Sequence, residues 1–312
     1  MTETEVVGIT ADVNRVTGVN IVVNGRRQHI SAANVALAAG AIETPLLLLK
    51  SRSDLWPRGL ANKSGLVGRN LMRHFIDLVG IFSWSRRDQE EDQKEIGLND
   101  FYCPNGKKYG TLADFGRMPP VTVILEDLDN DLSSAGPIKQ RVWRLVRPMV
   151  GWFLQRLLER TRFLALIVED LPFLDNRVEE GRDGADVVVH YTVRAEERLR
   201  IKRARSLVRK SLGSLITLLL PNAENTKLLA HACGTCRMGD DPTASVVDRN
   251  NRAHDVENLY IVDGSFFPSS GGVNPALTIA ANALRVARHV TEATGTQGVE
   301  PNQDPLELVP TR

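Results

Sequence analysis

The sequence is poor in cysteine and has no marked excess of either charge. Only three of its 312 residues are cysteine (Cys103, Cys233 and Cys236), which excludes a scaffold held together by disulfides. Lys and Arg number 39 and Asp and Glu 38, which gives a formal net charge of +1. This balance excludes a dedicated electrostatic nucleic-acid binder, because such a protein carries a clear basic excess.

Long apolar runs and a leader sequence are also lacking. No run reaches the roughly 20 apolar residues of a transmembrane helix, and the first ten residues lack the basic start and apolar stretch of a signal peptide. No G-x-x-x-x-G-K-[ST] phosphate loop occurs, which argues against an NTPase. Hydrophobic residues make up 42%, enough for a core, and the length predicts about two domains at roughly 150 residues each.

The amino-terminal segment predicts short strands. Val6–Thr10, Arg15–Val23 and Gln28–Ile30 are rich in β-forming residues. Asn24-Gly25 between the last two is a hairpin signal, because both residues tolerate positive φ. The sequence therefore opens on a run of strands, and the last two are expected to form a hairpin.

A strand, a glycine and a helix follow. Val35–Ala39 is a continuous apolar run typical of a strand buried on both faces. Gly40 permits a tight turn, and Thr44-Pro45 resembles an N-cap and first helical position before Leu46–Leu49. This order is typical of α/β domains, which bind ligands at the carboxyl ends of parallel strands.

The middle of the chain predicts two long helices. Pro137–Phe163 has helical periodicity, and Pro148 and Gly151 should kink or split it. Its basic stretch, Arg141–Arg162, could lie on a membrane surface or against a partner, although a solvated helix is the favoured interpretation. Ala195–Leu220 also has a helical pattern and ends before a proline.

The densest motifs lie near the carboxyl end. His231–Gly239 reads HACGTCRMG, Val262–Pro268 reads VDGSFFP, and Gly271–Thr278 reads GGVNPALT. In the last of these, Asn274 is a suitable N-cap and Pro275 a suitable first helical residue.

Together with Ser245–Asp248 (SVVD) and Val256–Tyr260 (VENLY), these segments resemble the carboxyl-terminal domain of the glucose–methanol–choline (GMC) oxidoreductases. Three earlier segments are similar to family segments: Leu37–Pro45, Gly65–Leu71 and Asp170–Val178. The resemblance extends to about residue 293 and is weakest in the middle of the chain.

The resemblance implies FAD-dependent oxidation of a CH–OH group, in an alcohol, sugar or sugar acid, to a carbonyl. By family position His231 is the catalytic base, a role that suits the near-neutral pKa of histidine. Asn274 would hydrogen-bond and orient the substrate oxygen. The helix start at Asn274–Thr278 would stabilise negative charge on reduced flavin.

The resemblance also implies the FAD contacts and the partners. The cofactor-binding residues are expected to be Ala39, Gly40, Ala41, Asp263, Gly264, Asn274, Pro275 and Thr278. Expected partners are a small alcohol or sugar substrate and an electron acceptor such as a quinone or a cytochrome. No metal, nucleic acid or transmembrane segment is expected.

Several of these residues have structural alternatives. Asn274 could be only a helix cap, and Asp263-Gly264 only a turn after a strand. Cys233 and Cys236 form a C-x-x-C spacing, which can indicate a redox dithiol or half a zinc site, although no further ligand motif is present. The remaining histidines are expected to be structural or exposed: His29, His74, His190, His254 and His289.

The family binds the FAD pyrophosphate with a G-x-G-x-x-G turn near the amino terminus, and this sequence contains no such motif. We therefore expect an α/β (α+β) fold with an incomplete FAD-binding, Rossmann-like domain. Residues 1–63 and 226–293 would form that domain, 64–225 a sheet-and-helix substrate-binding domain, and 294–312 a disordered tail.

The missing motif leaves two matters open. One alternative is an inactive fragment, or a subunit that needs a partner chain carrying the dinucleotide-binding half. The compartment is cytoplasmic by default, or periplasmic if an export signal lies on a missing amino-terminal part.

Overall fold

The computed structural model describes residues 2–85, 96–100, 102–116, 118–133, 136–182, 187–226 and 229–293. The predicted tail, 294–312, lies outside the described residues. The fold mixes helices and sheets, as the sequence predicted. The strands are β1 (Thr4–Ala11), β2 (Val16–Val23), β3 (Arg26–Ser31), β4 (Val35–Leu37), β5 (His74–Phe82), β6 (Gly97–Leu98), β7 (Gly110–Asp114), β8 (Thr161–Glu169), β9 (Arg177–Glu180), β10 (Val187–His190), β11 (Thr217–Leu220) and β12 (Leu259–Ile261). The helices are α1 (Gly40–Lys50), α2 (Val121–Ser133), α3 (Pro137–Leu158), α4 (Ala195–Leu212) and α5 (Ala276–Ala293).

Strands β1, β2 and β3 form an antiparallel sheet, in which β2 and β3 are the predicted hairpin. Asn24 and Gly25 have φ angles of +49° and +73°, as a tight hairpin requires. The turn prediction is therefore confirmed.

Strands β4 and β12 pair in parallel although more than 200 residues separate them. Val35 pairs with Leu259 and Leu37 with Ile261. Because the strands are parallel, the turns that follow them lie side by side at their carboxyl ends. Ala36 is exposed, so the prediction that this strand is buried on both faces was wrong; among the described residues the sheet has only these two strands.

The largest sheet is antiparallel, in the order β11-β5-β8-β7-β6. Successive side chains of a strand point to opposite faces. Phe75 and Val79 of β5 are buried in a core shared with Ile201 of α4. His74 and Ile76 have the opposite parity and therefore belong to the other face.

Three boundary predictions were wrong. α1 begins at Gly40, so Thr44 lies inside the helix and does not cap it. α3 runs through Pro148 as one helix, so the predicted split does not occur, and it ends at Leu158 instead of Phe163. The predicted helix Ala195–Leu220 ends at Leu212, because Gly213 turns the chain at φ +52° and the residues beyond it pair with β5 as β11.

Candidate active site

The motif segments His231–Gly239 and Val262–Pro268 lie next to each other. The Cys236 amide donates to the carbonyl of Ser265 (2.8 Å), and the Met238 amide donates to that of Phe266 (2.8 Å). The segment that contains His231 therefore packs along the turn that follows β12.

Asp263 ties that turn to the one that follows β4. Its Oδ2 accepts hydrogen bonds from the Gly40 amide (2.9 Å) and from the hydroxyl of Thr44. Its Oδ1 accepts from the Ser265 amide (2.8 Å). The structure thus brings together two of the predicted cofactor-binding groups, Ala39–Ala41 and Asp263-Gly264, at the carboxyl ends of the parallel strands.

Thr235 fixes the motif segment to helix α1. Its side chain is fully buried, and its hydroxyl donates to the carbonyl of Ala41 (2.8 Å). In an uninterrupted helix that carbonyl would accept from the amide four residues later, but residue 45 is a proline and has no amide hydrogen. The threonine hydroxyl replaces the missing donor.

His231 has an unusual backbone conformation. Its φ is +60°, a left-handed value that is uncommon for a residue other than glycine. The chain on either side is held to the start of β5: the His74 amide donates to the Ala230 carbonyl (3.0 Å), and the amides and carbonyls of Met72 and Cys233 bond reciprocally (2.9 Å each). Such conformations persist where the surroundings fix them, as here.

His74 contacts His231, which sequence reasoning missed. Its side chain is only 1% exposed. Its Nδ1 lies 2.9 Å from Nδ1 of His231, and its Nε2 lies 2.8 Å from the carbonyl oxygen of Ser270. The sequence signal that could have identified His74 is its position at the start of a strand, on the same face as Ile76 and Leu78.

This network assigns the proton positions on both rings. A carbonyl oxygen only accepts, so Nε2 of His74 carries hydrogen and its Nδ1 accepts when the ring is neutral. His231 must then donate from Nδ1, which leaves the lone pair of a neutral ring on its Nε2. Burial, with a smaller contribution from nearby His231, lowers the pKa of His74 to about 4 although the Ser270 carbonyl opposes the shift. His74 is therefore neutral at pH 7.

Asn274 lies beside that Nε2. Its amide Nδ2 is 3.3 Å from Nε2 of His231. Helix α5 begins at Ala276, one residue after the predicted first helical residue Pro275, and its first backbone bond runs from the Ile279 amide to the Pro275 carbonyl (3.0 Å). Thr278 is exposed on the first turn of the helix.

A cavity of about 420 Å³ opens in front of the His231–Asn274 pair. Its walls include Ile76 of β5, Ala113 of β7 and Ile167 of β8, which belong to one face of the five-stranded sheet. A second cavity, of about 440 Å³, shares Ile76 and reaches His74. Pockets of this size hold small organic molecules.

The two cysteines of the C-x-x-C spacing lie inside the protein. Cys233 and Cys236 are buried and carry free thiols. Burial, reinforced by Asp170 for the first and Asp263 for the second, raises the pKa of each thiol well above its usual range. The reactive thiolate form is thus suppressed. Within the described residues no group of His, Cys, Asp or Glu side chains could hold a metal ion.

Comparisons with known proteins identify the family. A family model described as GMC oxidoreductase matches residues 179–283. Paromamine 6'-oxidase of Streptomyces fradiae is 32% identical over 276 residues, which cover 85% of this chain and 47% of the relative. The chain belongs to the GMC oxidoreductase family.

Two further relatives extend the comparison. The fructose dehydrogenase large subunit of Gluconobacter japonicus is 31% identical over 297 residues, which cover 88% of this GMC chain and 50% of the relative. The crystal structure of pyridoxine 4-oxidase from Mesorbium loti aligns with a TM-score of 0.61 at 19% identity, over 93% of this chain and 57% of that one, and shows a shared fold. The chain spans about half the length of the curated relatives it matches.

Proposed function

We propose that this protein takes part in FAD-dependent oxidation of a CH–OH group to a carbonyl, in a small alcohol, sugar or sugar acid. The observation that carries the proposal is the His231–Asn274 pair, in which an unprotonated Nε2 and an amide donor face one cavity. The names of the curated relatives, which include oxidases and dehydrogenases of alcohol-bearing compounds, support the same class of reaction.

The side chains divide the work on the alcohol. The Asn274 amide donates a hydrogen bond to the substrate oxygen and orients it. Nε2 of His231 accepts the hydroxyl proton as the C–H bond breaks. His74 acts through His231. It keeps Nδ1 of His231 protonated, so the lone pair of His231 is on Nε2, where it points at the substrate. The sheet residues of the cavity exclude water from the reacting carbon.

The residues present fit the expected cofactor. In α/β folds, dinucleotides bind at the carboxyl ends of parallel strands, where Ala39–Ala41 and Asp263-Gly264 lie. Added atoms at the Cβ position of Gly40 would meet nothing within 4 Å, so a ligand can approach its backbone closely. The exposed start of α5 offers amides without intrahelical partners to an electron-rich ring. Bound FAD would accept the hydride.

We also propose that residues 1–63 and 226–293 bind FAD and that residues 64–225 bind the substrate. The proposal includes an electron acceptor, a quinone or a cytochrome, and a partner chain that carries further FAD contacts. The presence of a "large subunit" among the curated relatives supports a multisubunit assembly.

A flavin reduction experiment tests the proposal. The protein is prepared with FAD, and reduction by an alcohol or sugar is followed by stopped-flow absorbance. His231→Ala should slow reduction by ~10²–10⁴-fold, the loss expected when a positioned base is removed. His29→Ala, in the exposed strand β3, is the control and should reduce at the parent rate.

Two results would contradict the proposal. Near-normal reduction of the His231→Ala protein would remove His231 from the reaction. A protein that acquires no flavin absorbance band, alone or with any partner chain, would favour the inactive-fragment alternative.

A further inference from the structure

Helix α3 is attached to the rest of the protein along one side. Trp143 donates its Nε1–H to Asp129 of α2 (2.6 Å), and Arg147 pairs with the same carboxylate (2.9 Å). Gly151 lets the helices approach, since a Cβ there would lie 3.0 Å from the Leu125 side chain. No residue of α3 is fully buried.

The opposite side of α3 is an exposed apolar stripe. Its members recur every three or four residues, the spacing that aligns side chains on one helical face. The stripe consists of Ile138, Val142, Leu145, Met149, Trp152 and Phe153, whose exposed fractions range from 55% to 81%. Soluble proteins rarely leave a continuous apolar patch of this kind without a binding role.

The same helix is strongly basic. Over 22 residues it carries one lysine, four arginines and no acidic side chain, although the whole chain has a net charge of only +1. Lys139, Arg141, Arg144 and Arg156 are exposed. The Arg156 guanidinium lies over the Trp152 ring, 4.9 Å from its centroid, so cation and stripe share one surface.

We propose that α3 is an interfacial helix that lies on an anionic lipid bilayer. The stripe would enter the boundary between headgroups and acyl chains, and the flanking cations would contact anionic headgroups. The charged side chains of α3 suit a helix that lies in the plane of the interface rather than across the bilayer. None of the helices in the described parts of the chain has the length and apolarity needed to span a membrane.

Charge decides between a bilayer and a second copy of the chain. Two α3 helices packed stripe to stripe would bring ten basic side chains together without an acidic one between them. Like charges at an interface oppose association. An anionic lipid surface complements both the stripe and its basic flanks, and Trp152 is of the residue type enriched at membrane interfaces.

The test is cosedimentation of the purified chain with vesicles of phosphatidylcholine mixed with phosphatidylglycerol, against phosphatidylcholine alone. The parent protein should sediment mainly with the anionic vesicles. Each basic residue near an anionic surface strengthens binding about fivefold, so Lys139→Gln/Arg141→Gln/Arg144→Gln should weaken it on the order of 100-fold. The double variant Leu145→Ser/Trp152→Ser should abolish binding to both kinds of vesicle, although it keeps every basic residue.

A matched control separates this site from general basicity. Lys202→Gln/Arg203→Gln/Lys210→Gln removes the same charge from exposed positions of α4, and binding should fall by less than fivefold. An equal loss in the α4 variant, or no binding of the parent protein, overturns the proposal. All variants should give the parent's circular dichroism spectrum, which shows that they fold.

Tryptophan quenching locates the contact. Brominated lipids in the anionic vesicles should quench the parent fluorescence, and Trp152→Phe should remove most of that quenching while Trp84→Phe leaves it. Unchanged quenching in Trp152→Phe places another surface on the membrane. A dimer in light scattering that Leu145→Ser/Trp152→Ser dissociates would assign the stripe to a second copy instead and refute the bilayer.

Discussion

Mild acid should destabilise this protein through His74. Its pKa is about 4 in the folded chain, lowered mainly by burial, and the ordinary value of about 6.5 returns on unfolding. Above pH 6.5 neither state holds the proton on this ring. Between pH 6.5 and 4 the unfolded chain binds it and the folded chain does not, so stability falls as pH falls. The loss attributable to His74 is about 2 kcal/mol at pH 5 and about 3 kcal/mol at pH 4.

The assay is urea unfolding followed by circular dichroism, at about pH 7.5 and about pH 5. His74→Gln retains an amide that can donate to the Ser270 carbonyl but cannot titrate in this range. The variant should lose about 2 kcal/mol less than the parent between the two pH values. His29→Gln, on the exposed strand β3, controls for the loss of any histidine and should follow the parent.

Equal pH dependence in the parent and in His74→Gln would refute the reasoning. It would mean that His74 binds its proton as readily when folded as when unfolded. With the ordinary pKa of about 6.5, part of the His74 population would be charged at pH 7 and would donate from both nitrogens, and in that part the lone pair assigned to Nε2 of His231 would lose its structural basis.

Two further predictions concern buried positions at which the structure does not tolerate a change of side chain. Gly110→Ala should lower the free energy of unfolding by more than ~3 kcal/mol, because the new Cβ would lie 1.8 Å from the Ile167 carbonyl oxygen. Gly97→Ala is the control: its Cβ would have no atom within 4 Å, and the free energy of unfolding should change by less than ~1 kcal/mol in the same urea titration. Thr235→Val should lower the free energy of unfolding by ~1–3 kcal/mol, because it leaves the buried Ala41 carbonyl without a donor. Thr235→Ser keeps the hydroxyl and should unfold with nearly the parent free energy. Equal losses in both variants would contradict this account.

Sequence reasoning succeeded where the signal was local. The Asn24-Gly25 hairpin depends on two adjacent residues that tolerate positive φ. His231 and Asn274 were predicted as site residues because each lies in a motif; their roles stay a prediction, but the structure does place the two side chains in contact. Such features are encoded in consecutive residues and need no knowledge of the rest of the fold.

It failed where a distant segment decides the outcome. Residues 217–220 continue a helical pattern, but backbone pairing with β5 makes them a strand. Thr44 has the sequence of a helix cap, but its hydroxyl donates to Asp263, 219 residues away. His74 acquires its contact with His231 only through the fold, which brings together residues 157 positions apart.

The short motif segment that follows His231 also explains how this side chain is positioned between the two sheets. Cys233 bonds to Met72 beside the five-stranded sheet, and two residues later Thr235 bonds to Ala41 beside the parallel strands. Gly234 between them has φ +92°, and a Cβ there would lie 2.6 Å from the Asn70 carbonyl. The motif residues are therefore buried because they join the two sheets at a fixed spacing, and His231 at their amino-terminal end faces the cavity from that junction.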